Sequence, residues 1–79
     1  MRVRVKLYAT LGRQRPGVAP GYPFEVELGE GATIGDLLTQ LGLEPAEAKV
    51  TFVNGRARPL DWTLQPDDEV GVFPPIGGG

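Results

Sequence analysis

Polar and apolar residues alternate from the second position of the chain. Arg2, Arg4 and Lys6 interleave with Val3, Val5 and Leu7, which predicts a strand with one basic and one apolar face. Phe24, Val26 and Leu28 alternate in the same way with Glu25 and Glu27. If the two segments pair as neighbours, acidic and basic side chains meet on one side of a sheet, which favours that pairing. The connection from Thr10 to Pro23 carries Gly12, Pro16, Gly17, Pro20 and Gly21 and reads as a long exposed loop. The period then changes. Ile34, Leu37, Leu38 and Leu41 fall at helical spacing, with Thr33 as N-cap, Asp36 completing a variant capping box, and Gly42 at the left-handed stop. Pro45 limits the next segment to a short turn, and Val50 to Val53 offers a β-branched and aromatic strand. Asn54-Gly55 is a strong hairpin signal, with Arg56 to Leu60 as the returning strand. Pro66-Asp67-Asp68 makes a further turn. Glu69 to Phe73 is the final strand, Val70 and Val72 on one face, Gly71 and Phe73 on the other.

This order predicts an α+β roll, a mixed sheet with one main helix packed on one face, and it is the order of a ubiquitin-like β-grasp. Residues 1–73 are expected to form that domain and residues 74–79 an extended C-terminal tail. A chain of 79 residues leaves no room for a second domain or a deep catalytic cleft. Glycine and proline number 12 and 8, a share that borders on disordered composition, but they fall between the periodic segments, as punctuation does. Many functions share this roll, so the fold by itself decides nothing about activity.

Composition narrows the chemistry. The net charge of −2 points to no nucleic-acid or anionic-membrane partner. Cysteine and histidine are both absent, which removes disulfides, thiolate nucleophiles, imidazole bases and the usual zinc ligands. Carboxylates, Lys, Arg, hydroxyls and chain ends remain. No charged-then-apolar leader opens the sequence and no apolar run nears the ~20 residues that cross a bilayer, so the expected location is the cytoplasm. Asp67, Asp68 and Glu69 read as an acidic turn rather than a cation site, and Gly29-Glu30-Gly31 as a turn, since it lacks the spacing of a dinucleotide fingerprint. Trp62 reads as a partly buried anchor. Arg13, Arg15, Arg56 and Arg58 are either solvated charges or contacts for an acidic partner surface. Tyr8 and Phe73 alternate out of the core-facing series of their strands. They form an exposed apolar patch for a partner, or one of them covers a sheet edge.

The last twelve residues carry the most specific signal: Asp68-Glu69-Val70-Gly71-Val72-Phe73-Pro74-Pro75-Ile76-Gly77-Gly78-Gly79. Pro74 and Pro75 fix φ and favour an extended stem. Three glycines remove every Cβ beside the final carboxylate, so a narrow channel admits the chain and a nucleophile meets no hindrance. A glycine-rich end taken alone is most often a frayed terminus. Phe-Pro-Pro, an aliphatic residue and Gly-Gly resemble the closing signature of the MoaD family, the small subunit of molybdopterin synthase, within the MoaD/ThiS sulfur carriers. The resemblance extends over essentially the whole chain. Asp67 stands where that family usually has Gly, and Ala57 where some members carry a large apolar residue on the partner-facing sheet.

The resemblance implies a non-catalytic sulfur-donor subunit that binds no cofactor. A ubiquitin-activating-type (MoeB-like) enzyme would adenylate the Gly79 carboxylate with ATP, and a sulfur donor enzyme would supply the atom that makes it a thiocarboxylate. The large synthase subunit (MoaE-like) would receive the tail, with Gly77 and Gly78 threading its channel and Tyr8, Phe73, Pro74, Pro75 and Ile76 making contacts. The sulfur then passes to a pterin precursor in molybdenum cofactor biosynthesis. The same terminal chemistry serves two other readings. One is a protein modifier joined through Gly79 to lysines. The other is a sulfur carrier for thiamine, tRNA thiolation or cysteine synthesis.

Overall fold

The alternating segments do pair. A computed structural model describes residues 1–8 and 21–74, apart from the Glu47 side chain. Five strands, β1 (Arg2–Leu7), β2 (Phe24–Glu27), β3 (Val50–Val53), β4 (Arg56–Ala57) and β5 (Glu69–Phe73), form one mixed sheet in the order β2-β1-β5-β3-β4. β1 runs parallel to β5 and antiparallel to β2, with Arg2 opposite Glu27 and Arg4 opposite Glu25. The basic and acidic faces therefore coincide. Arg2 Nε donates to Glu27 Oε1 at 2.9 Å and its guanidinium lies 3.7 Å from Glu25. The hydrogen bond to Glu27, and next the field of Glu25, push the Arg2 pKa above its ordinary value.

One helix, α1 (Ile34–Leu41), covers the inner face of the sheet. The Asp36 N–H donates to Thr33 Oγ1 at 3.2 Å and the Thr33 N–H to Asp36 Oδ2 at 2.9 Å, a reciprocal capping box. Gly42 takes the left-handed conformation with φ 76°, and its N–H closes onto Leu38 and Thr39 carbonyls. Ile34, Leu37 and Leu38 are buried against Val3, Val5 and Leu7 of β1, Val26 of β2 and Val70 and Val72 of β5. Leu41, the last of the predicted apolar stripe, is only partly buried at the margin of this core. A 3₁₀ turn, Pro45–Glu47, leads into β3.

The returning strand of the hairpin is shorter than Arg56 to Leu60. β4 stops at Ala57 because the following residues are drawn away to the start of α1. The N–H groups of Ile34 and Gly35, which no helical carbonyl can reach, donate to the carbonyls of Trp62 at 3.1 Å and Leu60 at 2.8 Å. Pro59 also lacks the donor that a longer ladder needs. The sheet connection ends with the Arg58 N–H donating to the Thr51 carbonyl at 2.9 Å and Thr51 Oγ1 donating to the Arg58 carbonyl at 2.7 Å. That bond satisfies Thr51, which is buried although polar.

Candidate functional site

Strand parity places every outward residue of β1 and β5 on one surface, opposite the helix. Even-numbered residues of β1 face out, as do Glu69, Gly71 and Phe73 of β5. β3 runs antiparallel to β5 with Val50 opposite Phe73 and Phe52 opposite Gly71. One half of this surface is charged: Arg2 with Glu25 and Glu27, then Lys6 Nζ 3.1 Å from Glu69 Oε1. The other half is aromatic.

In the aromatic half Tyr8 and Phe73 stack with ring centroids 4.1 Å apart and planes 3° from parallel. Phe52 meets Phe73 edge-on at 5.6 Å and 83°. Gly71 lies beneath the stack, where an added Cβ would stand 3.4 Å from Tyr8 Cε2 and 3.8 Å from Phe73 Cε1. The Tyr8 N–H donates to the Val72 carbonyl at 3.1 Å, so the residue after β1 continues along β5. Both rings are half-buried, and beside them Val50 remains 38% exposed.

Position along the chain gives this surface its interest. β1 and β5 are parallel, so their C-terminal ends lie at the same edge of the sheet, and Pro74 follows Phe73 directly. The aromatic cluster thus surrounds the point from which the stem departs. Pro75, Ile76, Gly77, Gly78 and Gly79, and likewise Arg13 and Arg15, lie outside the described residues.

Of the residues singled out by alternation, Tyr8 and Phe73 are brought together and Pro74 is placed beside them. Phe52 and Val50 belong to the same cluster and were missed. In Val50-Thr51-Phe52-Val53 the polar residue faces in and two apolar residues face out, the reverse of the usual rule. The register against β5 reveals this, and a single strand read alone does not.

The acidic turn is internally occupied. Asp68 Oδ1 accepts from Asn54 Nδ2 at 2.9 Å and Oδ2 from the Gln65 N–H at 2.8 Å. Among the described residues no group of three or more carboxylates could hold a metal ion. Trp62 is partly buried, with 37% of its surface exposed, and carries the Arg58 guanidinium 4.1 Å above its ring. No described helix is long and apolar enough to cross a membrane. What the described surface can do is bind: it offers a flat apolar platform with a charged margin.

Comparison with known proteins bears on what binds there. The model of the ThiS family matches residues 6–79. A solved structure from Pyrococcus furiosus, provisionally described as molybdopterin converting factor, subunit 1, is 34% identical. The match covers 96% of this chain and 99% of that one, with a TM-score of 0.72. SAMP1 from Haloferax volcanii is 26% identical over 100% of both chains, TM-score 0.73. A chain in the complex of subunits 1 and 2 of the molybdopterin-converting factor from Helicobacter pylori shares the fold at 18% identity and a TM-score of 0.59. No curated protein matches the sequence.

Proposed function

The chain belongs to the ThiS family, and from that premise we propose that it is the sulfur-carrying small subunit of a molybdopterin synthase, acting through the carboxylate of Gly79. The observation that carries this reading is the Tyr8–Phe73 stack at the root of the stem. A partner that seats on the aromatic half of the sheet takes up the tail from the same edge.

The chemistry follows from what an acyl terminus needs. A carboxylate oxygen of Gly79 attacks the α-phosphorus of ATP in the activating enzyme, and pyrophosphate leaves. A sulfur nucleophile then displaces AMP from the acyl-adenylate to give the thiocarboxylate. That group is anionic at neutral pH and a far better nucleophile than the oxygen carboxylate, so it hands its sulfur to the pterin precursor in the large subunit. Once the sulfur is bonded to the pterin, water attacks the acyl carbon and the acyl C–S bond breaks, so the sulfur stays on the pterin and Gly79 regains its carboxylate. The small subunit holds and presents the reacting group, and the partners supply acid and base.

The likeness to the Pyrococcus furiosus protein at 34% identity supports this assignment. The likeness to SAMP1 over the full length of both chains supports the second reading, a ubiquitin-like modifier joined through Gly79 to lysines. Intact mass spectrometry separates them. The chain is incubated with a MoeB-like enzyme, ATP and sulfide, and then with the large subunit and the pterin precursor. A gain of one sulfur for one oxygen, lost again on adding precursor, is the expected result. Lysine-linked adducts in lysate, with no sulfur returned to a pterin, would assign the chain to protein modification. Deleting Gly79 or adding one residue after it abolishes sulfur loading and leaves the fold unchanged.

A further inference from the structure

Adjoining the aromatic half, with which it shares Val50, an open groove of about 770 Å³ runs between the 3₁₀ turn and β4. Its floor is apolar, with Ala46, Val50, Pro59 and Leu60 among its lining residues, and its cations are Lys49 and Arg58. No Asp or Glu is among the described residues that line it. The ion pairs on the charged half of the outer surface take up Arg2 and Lys6 of β1.

Arg58 is also held in place. Its guanidinium lies over Trp62, with Cζ 4.1 Å from the ring centroid. A cation–π contact does not consume the guanidinium's N–H donors, which stay able to grip a carboxylate. The edge of β4 adds a backbone anchor. Val53 pairs with Arg56 across the two-residue turn and the Arg58 N–H bonds to Thr51, so the N–H and C=O of Ala57 between them point away from β3. Pro59 supplies no further donor, and its carbonyl already accepts from the Trp62 N–H at 3.0 Å. The edge therefore suits a short segment and resists indefinite strand addition.

We infer that this groove seats an extended acidic segment of a partner protein, with its backbone on Ala57, its carboxylates on Arg58 and Lys49, and an alternate aliphatic side chain on the floor at Val50 and Leu60. The site lies beyond the sulfur-carrier reading and is independent of the tail. Charge complementarity selects the occupant, and the apolar floor adds contact area.

Trp62 is the single tryptophan of the chain, so its emission reports on Arg58 directly. The full chain is titrated with an end-blocked peptide of alternating Asp and Val or Leu, and with the same peptide carrying Lys in place of Asp. The acidic peptide gives a saturable change in emission and shifts the amide resonances of Lys49, Ala57 and Arg58, an effect that weakens with added salt. The lysine peptide gives neither. Lys49→Glu weakens binding by about tenfold, the size of one lost charge-assisted hydrogen bond. Arg58→Ala, followed by amide shifts because it alters the tryptophan signal itself, does the same. Arg4→Ala, a change on the charged half of the outer surface, leaves affinity unaltered. An equal response to both peptides overturns the inference, as do unchanged affinity in both groove variants and amide shifts centred on Tyr8 and Phe73.

Discussion

Asp67 holds a backbone conformation that L-residues rarely adopt, with φ 68°. It is the third residue of the turn Gln65–Asp68, closed by the Asp68 N–H on the Gln65 carbonyl at 3.2 Å, with Pro66 at the second position. Proline followed by a left-handed residue is the type II pattern, which favours glycine at that point. This explains physically why Gly is usual here among the sequences this chain resembles. The Asp67 carboxylate makes no hydrogen bond to a described residue, whereas its N–H donates to the Arg2 carbonyl at 2.8 Å, a bond that glycine keeps. Asp67→Gly relieves the left-handed strain and adds freedom to the unfolded chain, so the two effects partly cancel. The expected net gain is about 0.5 kcal/mol, read as a higher urea midpoint at unchanged slope. A lower midpoint would show that the freedom added to the unfolded chain, with the lost field of Asp67 on Arg2, outweighs the strain.

At the scale of elements, what was legible in the sequence is what local chemistry specifies. Thr33, Asp36 and Gly42 bound the helix by hydrogen bonds within four residues of one another, and Asn54-Gly55 turns the hairpin with φ 52° and 84°. What was not legible depends on partners far along the chain. The outward face of β3 and the early end of β4 are set by register against β5 and by the needs of the helix start. Asn54 joins both kinds of information. Beyond its turn conformation, its Nδ2 donates to Asp68 Oδ1 at 2.9 Å, and its Oδ1 accepts from the Glu69 N–H at 3.0 Å. It ties the hairpin to the turn that launches β5. Asn54→Ala loses both bonds and strains the left-handed position, an expected destabilisation of about 1–2 kcal/mol. Asn54→Gly keeps the turn and loses only the ties, so it falls between. Equal midpoints for the two variants would mean that the left-handed conformation contributes nothing and the ties everything. The capping box is checked separately: Thr33→Ala lowers stability by about 1 kcal/mol in the same measurement.

For the whole molecule, the tail's composition was plain in the sequence, whereas the coincidence of stem and aromatic cluster required the parallel pairing of β1 with β5. That coincidence separates two duties that the Proposed function joins, docking and threading. Phe73→Ala removes the ring that Tyr8 and Phe52 both contact. It weakens binding to the large subunit by about 1–3 kcal/mol, typical of an aromatic anchor, and lowers folding stability by roughly 1 kcal/mol through loss of ring pairing. A sharp fall in melting temperature with unchanged affinity would make Phe73 a structural residue instead. Gly78→Val acts elsewhere. A β-branched residue adds bulk and restricts φ and ψ where glycine is free, so a channel fitted to glycine excludes it. Both sulfur loading and delivery stop, while docking through the aromatic half survives, and Gly77→Ala, which adds one methyl group further from the reacting carboxylate, has the milder effect. The discriminating comparison is the thiocarboxylated fraction by mass, then single-turnover sulfur transfer and partner affinity, for each variant against the parent chain. Normal loading and transfer by Gly78→Val would remove the steric role of the glycines. Loss of partner affinity in Gly78→Val equal to that in Phe73→Ala would instead mean that the tail, and not the sheet, provides the docking energy.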